Sequence, residues 1–147
     1  MVKHERERAD VVNQQWHLLN KAYEEYAKSI GMTYTSLNIL CVIFHTENCT
    51  QKKICERIYL PKQTVNNIIT SFDKQNLIEM VELPEDRRTK AIHLTKEGMK
   101  LANKVLPVID HAEENAMAQF SEEEAGMFIM LLKKYVANCE KNMPISL

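Results

Sequence analysis

Between Thr50 and Thr95 the hydrophobic pattern changes its period, and this change limits the folds open to the 147-residue chain more than any other feature. Ile54 and Ile58, then Val65, Ile68, Ile69 and Phe72, recur at steps of three and four, the spacing of one helix face. Thr50 is placed to cap a short helix over Gln51 to Ile58, which the turn Tyr59-Leu60-Pro61 ends. Pro61 suits the first turn of a second helix, because it lacks an amide proton and its φ is preset. That helix runs to about Gln75, with Asn76 taking the left-handed stop and Leu77 packing back across it. Past Leu77 the period shortens. Ile78 to Leu83 and Lys90 to Leu94 read as two strands around the polar turn Pro84-Glu85-Asp86-Arg87-Arg88. Two helices followed directly by a charged hairpin describe a winged helix-turn-helix.

The flanks are helical. Val12, Trp16, Leu19, Tyr23, Tyr26 and Ile30 form one apolar stripe on a helix from near Glu5 to Ser29. Gly31 supplies its left-handed stop, with Met32 folding back as the next hydrophobe. A helix starting around Thr33 to Thr35 carries Leu37, Ile39, Leu40, Ile43 and Phe44, apolar nearly all round, so it should be central and buried. Thr95 should cap a long helix bearing Leu101, Val105, Val108, Ile109, Ala112 and Ala116, with a kink expected at Pro107. Ser121-Glu122-Glu123-Glu124 reads as a capping box opening a last helix, expected to bury Phe128, Leu131, Leu132, Tyr135 and Cys139. The fold class is therefore mainly α with a small β-hairpin wing.

Composition agrees. Only three Gly and four Pro favour helices over a many-turned β architecture, and 45% hydrophobic residues suffice for a core. The charged first ten residues argue against a signal peptide, and the uncharged stretch Ser29 to Thr46 is too polar to span a bilayer. Cys41, Cys49, Cys55 and Cys139 have no zinc-type spacing; three lie in apolar or mixed helical stretches and read as small buried thiols, and the compartment is expected to be reducing and cytoplasmic. A net charge of −1 speaks against a nucleic-acid partner, but its distribution does not. Thr50 to Lys100 holds ten Lys and Arg against seven Asp and Glu, a net of +3. The rest holds nine against thirteen, a net of −4. A basic middle between acidic ends points to one segment that meets phosphate.

A helix that reads the major groove needs an apolar face toward its own domain and short polar groups on the other. Lys62, Gln63, Thr64, Asn66, Asn67 and Thr70 lie opposite Val65, Ile68, Ile69 and Phe72, and no acid interrupts this first half. Gln and Asn suit adenine, and Thr suits a thymine methyl. Arg87 and Arg88, with Lys90 behind them, would enter the minor groove from the hairpin tip. Asp86 would repel phosphate, so it is expected to hold a neighbouring guanidinium in shape. Thr50, Lys52, Lys53 and Arg57 are candidates for phosphate contacts, which position without specifying. The expected partner is double-stranded DNA.

The run Asp86-Arg87-Arg88-Thr89-Lys90-Ala91-Ile92-His93-Leu94-Thr95, continued by Lys96-Glu97-Gly98, resembles the wing signature of the MarR family of bacterial transcriptional regulators. Leu60-Pro61-Lys62-Gln63-Thr64-Val65 is similar to that family's entry into its reading helix, and Leu37 to Leu40 to its second helix. Asn76 departs from the pattern, standing where a glycine is usual. The resemblance implies a homodimer on a palindromic operator, a repressor released by a small aromatic or phenolic effector. It divides the chain into an N-terminal dimerisation helix over 1–34, a winged helix-turn-helix over 35–95 and C-terminal dimerisation helices over 96–147. It also points to Trp16, His17, Tyr23, Met32 and Tyr34 as effector-pocket residues.

Other readings stand beside this one. A zinc-responsive regulator of the same fold would draw on His17, His45, His111 and Glu114, which are usable ligand types without a tight motif. A redox-responsive one would need an exposed thiolate, with Cys49 the candidate. A winged helix can also serve as a protein-interaction module without binding DNA. An enzyme is not expected: there is no Gly-rich phosphate loop or nucleophile motif, no cofactor is implied, and the helix cap explains the acids at Glu122 to Glu124.

Overall fold

The computed structural model describes residues 2–144. Six helices and one hairpin follow in order: α1 Val2–Ser29, α2 Tyr34–His45, α3 Gln51–Ile58, α4 Lys62–Lys74, β1 Ile78–Leu83, β2 Asp86–Leu94, α5 Lys96–Ala118 and α6 Glu122–Asn142. No single helix among the described residues is long and apolar enough to cross a membrane.

The chain separates into two compact units at Val105 and Leu106. In the first unit α2 is the centre, as its all-round apolar pattern requires. Leu37, Ile39 and Leu40 are fully buried, joined in the core by Ile54 of α3, Val65, Ile69 and Phe72 of α4, and Ile78, Ala91 and Ile92 of the hairpin. Each such side chain contributes roughly 1.5–3 kcal/mol through removal from water. Tyr26 ties α1 to α5 by donating its hydroxyl to the Val105 carbonyl at 2.7 Å.

The helix ends follow local chemistry. At Gly31 (φ +75°) the amide of Met32 bonds the Ala27 carbonyl at 2.9 Å, and that of Gly31 bonds Lys28 at 3.1 Å. Asn76 (φ +57°) closes α4 by the same pair of bonds, Leu77 to Phe72 and Asn76 to Asp73, both 2.9 Å. Asparagine thus takes the left-handed stop, as expected from the sequence, since its short polar side chain tolerates that region. Pro61 sits one residue earlier than anticipated, at the N-cap itself, with no side-chain cap bond. Ser121 and Glu124 form the complete capping box of α6. The bond from the Ser121 amide to Glu124 holds that carboxyl below the ordinary glutamate range. Helix α5 continues through Pro107.

The hairpin departs from expectation at its tip. Strands pair antiparallel from Ile78 opposite Leu94 to Glu82 opposite Lys90, and the next pair is Leu83 with Asp86. The connecting turn is therefore Pro84-Glu85 alone, and Arg87, Arg88 and Thr89 bulge from a second strand that begins at Asp86 rather than Lys90. The amide of Ile92 also donates to the Cys49 carbonyl at 2.7 Å, which pins the hairpin to the linker before α3.

The second unit corrects a burial expectation. Phe128 and Leu131 of α6 are 46% and 51% exposed, and Leu132, Tyr135 and Cys139 are half-buried. A single chain supplies too little core for this stripe. Phe128 finds one partner in Phe120, stacked at 5.7 Å. On α1, Trp16 and Leu19 are likewise exposed.

Gly98 stands where α5 meets the turn after α4, and a Cβ there would overlap the Leu77 carbonyl oxygen. Backbone cannot yield as a flexible side chain does. Gly98→Ala should therefore cost about 1–3 kcal/mol of stability, read as a lowered denaturation midpoint. An unchanged midpoint would refute this close approach.

Candidate nucleic-acid interface

The polar face of α4, the candidate reading surface, is built by the helix's own periodicity. Val65, Ile69 and Phe72 are buried, and Lys62, Gln63, Asn66, Asn67 and Thr70 are exposed on the other side. Thr64 is half-buried at the flank of that face. Gln63 donates from Nε2 to Asn67 Oδ1 at 2.8 Å, one turn apart. Gln51 of α3 donates from Nε2 to Asn66 Oδ1 at 3.4 Å. Tyr59 closes α3 in the left-handed region (φ +53°) and leaves its ring 91% exposed in the turn that leads into α4.

Beside this face lies an open groove of about 580 Å³ between α3, the start of α4 and the wing. Lys52, Lys62, Arg88 and Lys90 line it over an apolar base of Cys55, Met80 and Ile92, and no acidic side chain is among its lining. A net charge near zero thus hides a local concentration of cations, the arrangement that draws a phosphate backbone.

The structure redistributes the sequence-derived roles. Thr50 is nearly buried, and its hydroxyl oxygen accepts the Lys53 amide at 3.2 Å as the α3 cap. The Lys53 ammonium donates to the Glu47 and Asn48 carbonyls at 3.3 and 3.1 Å, so it closes the α2–α3 turn. Lys52 lies 3.9 Å from Glu56, a solvated pair that contributes little. Arg57 lines a separate shallow cavity with Thr46, Lys53 and Glu56.

Asp86 does not hold a guanidinium. Its carboxylate accepts the Thr89 hydroxyl at 2.7 Å and the Arg88 amide at 2.9 Å, a side chain imitating a turn. These bonds, the Thr89 hydroxyl first, hold the Asp86 carboxyl below the ordinary aspartate range. Arg87 and Arg88 remain exposed, and among the described residues neither enters an ion pair.

The sensor candidates separate. Tyr23 and Tyr34 stack at 5.0 Å with nearly parallel rings, and Met32 is half-buried, whereas Trp16 and His17 are exposed on α1. Cys49 is fully buried, and burial pushes its thiol up despite Lys53 and Arg57, so it is not the exposed thiolate a redox switch requires. Among the described residues no three His, Cys, Asp or Glu side chains converge as a metal site. His45 packs edge-on against Phe44, and His111 faces Glu114 at 3.6 Å as an exposed pair one helical turn apart. Gln51, Cys55 and Met80 were missed by sequence reasoning, because their share in the interface depends on packing between elements distant in sequence.

The sequence profile described as MarR family matches residues 30–89, which hold α2, α3, α4 and most of the wing. Over that segment the chain is similar to the MarR family. The HTH-type transcriptional regulator SarZ of Staphylococcus epidermidis is 27% identical over 118 residues, covering 79% of this chain and 77% of the relative. The MarR/EmrR family regulator of Acinetobacter sp. ADP1 superposes with a TM-score of 0.74 at 25% identity, covering 93% and 97% of the two chains. Staphylococcus aureus MepR, solved in complex with DNA, superposes with a TM-score of 0.76 at 21% identity over 88% and 94%, a likeness of fold. The fold of these solved structures and the reading of the fold from helix order and wing agree.

The Asp86 clamp makes the wing tip pH-sensitive. Because its folded-state pKa is depressed, the clamp is fully present above the unfolded-state value and is lost as pH falls through the folded-state value. The Asp86 carboxyl should titrate below an ordinary aspartate in NMR, with Arg88 and Thr89 amide shifts moving in the same step. An ordinary midpoint would refute the clamp.

Proposed function

We propose that the chain is a sequence-specific DNA-binding transcriptional regulator, a homodimeric repressor of a palindromic operator that a small aromatic or phenolic effector releases. The observation that carries this reading is the cationic groove, with no acid in its lining, beside a polar helix face whose first half holds no acid. In this reading α4 lies in the major groove, Arg87 and Arg88 probe the minor groove, and Lys52, Lys62 and Lys90 follow the phosphates. The same fold in MepR was solved on DNA, which supports the docking mode.

Dimerisation is supported by the apolar surface a single chain leaves open. Trp16, Leu18 and Leu19 on α1, and Met127, Phe128, Met130 and Leu131 on α6, are all more than one-third exposed. Two-fold symmetry then sets two half-sites about one helical turn apart. Repression needs no more than occupancy of such a site. The stacked Tyr23–Tyr34 pair, joining α1 to the start of α2, is the part of the effector-pocket set that supports a planar ligand. A DNA partner places the protein in the cytoplasm.

Selection of bound duplexes from a random pool tests the reading. The selected site should be palindromic, and binding to it should weaken steeply with salt through counterion release. Arg88→Ala should cost about 1–3 kcal/mol of operator binding. Asn67→Ala should relax base preference more than it lowers non-specific affinity. No selected sequence, or unchanged binding in both variants, would overturn the assignment.

A chain ending before Ser121 should be monomeric or poorly soluble and bind DNA weakly. A stable, tight-binding dimer of that truncated chain would refute the role given to the terminal helices.

A further inference from the structure

We propose that Gln63 and Asn67 read the operator as one coupled unit rather than as two independent amides, with Asn66 a positioning residue held by Gln51. The inference rests on the DNA-reading role given to α4. Gln63 and Asn67 are both exposed on the reading face, yet they are already bonded to each other, Gln63 Nε2 to Asn67 Oδ1 at 2.8 Å. They stand one turn apart, the spacing at which helix side chains meet.

The bond assigns polarity to the surface. A primary amide offers two donors and one acceptor oxygen. With its oxygen engaged by Gln63, Asn67 presents its two Nδ2 donors outward. Gln63, having turned its nitrogen toward Asn67, presents Oε1 as an acceptor. In the major groove an acceptor suits the exocyclic amine of adenine or cytosine, whereas a donor suits guanine O6, thymine O4 or a purine N7. The couple therefore fits neighbouring base pairs that offer an amine edge under Gln63 and an acceptor edge under Asn67. Two amides free in solution could each rotate and accept either edge; two that hold each other cannot turn one at a time. The couple also brings ordered side chains to the groove, which lowers the entropy cost of docking.

Asn66 differs. Its Oδ1 accepts from Gln51 across the α3–α4 junction at 3.4 Å, which directs that side chain back toward α3. Its role is to keep the reading helix in register with α3.

The test measures binding of the full-length chain to the sixteen duplexes that vary the two base pairs under the couple in the selected operator. The wild type, Gln63→Ala, Asn67→Ala and the double variant are compared, with thermal midpoints confirming the fold. Each single variant should lose preference at both base pairs, and the double should be at most about threefold weaker than either single, as coupled sites behave. Losses that multiply in the double variant, each confined to one base pair, would overturn the couple. Gln63→Glu supplies a second arm, since a carboxylate only accepts. Asn67 must then turn its nitrogen to residue 63 and expose Oδ1, so the preferred edge beneath it should switch from acceptor to amine. An unchanged preference there would also overturn the proposal. A wild type with no preference at any base pair would instead sink the DNA-reading role. Asn66→Ala should weaken binding to all sixteen duplexes alike; a change in the preferred bases would remove it from the positioning role.

Discussion

The angle at which the wing leaves the reading helix depends on the bonds around the carbonyl of Leu77. That oxygen accepts the Thr95 amide at 3.0 Å, and the Thr95 hydroxyl donates to the Asn76 carbonyl at 2.7 Å. The same hydroxyl oxygen accepts the Gly98 amide at 3.0 Å, capping α5. One threonine thus joins the end of α4, the end of the hairpin and the start of α5. Gly98 is required because the backbones approach too closely for any side chain. The linker bond from Ile92 to Cys49 fixes the hairpin from its other side. Helix α4 and the wing are therefore tied together at both ends of the hairpin, which is what the proposed entry into two grooves would demand.

Electrostatics in this piece are local rather than global. Lys53 and Asp86, which look in sequence like a phosphate ligand and a guanidinium partner, bond nearby backbone groups and, for Asp86, the Thr89 hydroxyl, and so shape turns at the surface. Lys52, Lys62, Arg88 and Lys90 line one groove whose lining holds no acid, with only Lys52 loosely paired to Glu56 outside it. Buried or self-satisfied charges set geometry here, and exposed ones set attraction.

The terminal helices follow a different logic. Their stripes have helical period, but α6 leaves Phe128 and Leu131 half in solvent. Periodicity states that a face is apolar; it does not state which surface covers it. The stripes on both terminal arms call for burial, and one chain of 147 residues has little core to receive them.

Local signals in the sequence determined the helices, their caps, the hairpin and the exposed polar face of α4. Each of these depends on residues within a few positions of one another: Thr50 before Lys53, Ser121 before Glu124, Asn76 after Phe72, alternation after Leu77. The run from Asp86 to Gly98, with its resemblance to the MarR wing, was legible for the same reason. Only the tertiary structure decided the two-residue turn of the wing, the burial of Cys49, the diversion of Lys53 and Asp86, and the shared groove. The burial of Cys49 and the shared groove depend on how distant elements pack, whereas Lys53 and Asp86 meet groups two to six residues away that only the folded backbone brings into reach. A carboxylate beside two arginines is an ion pair by sequence, but a bulged strand that offers it an amide and a hydroxyl makes it a turn.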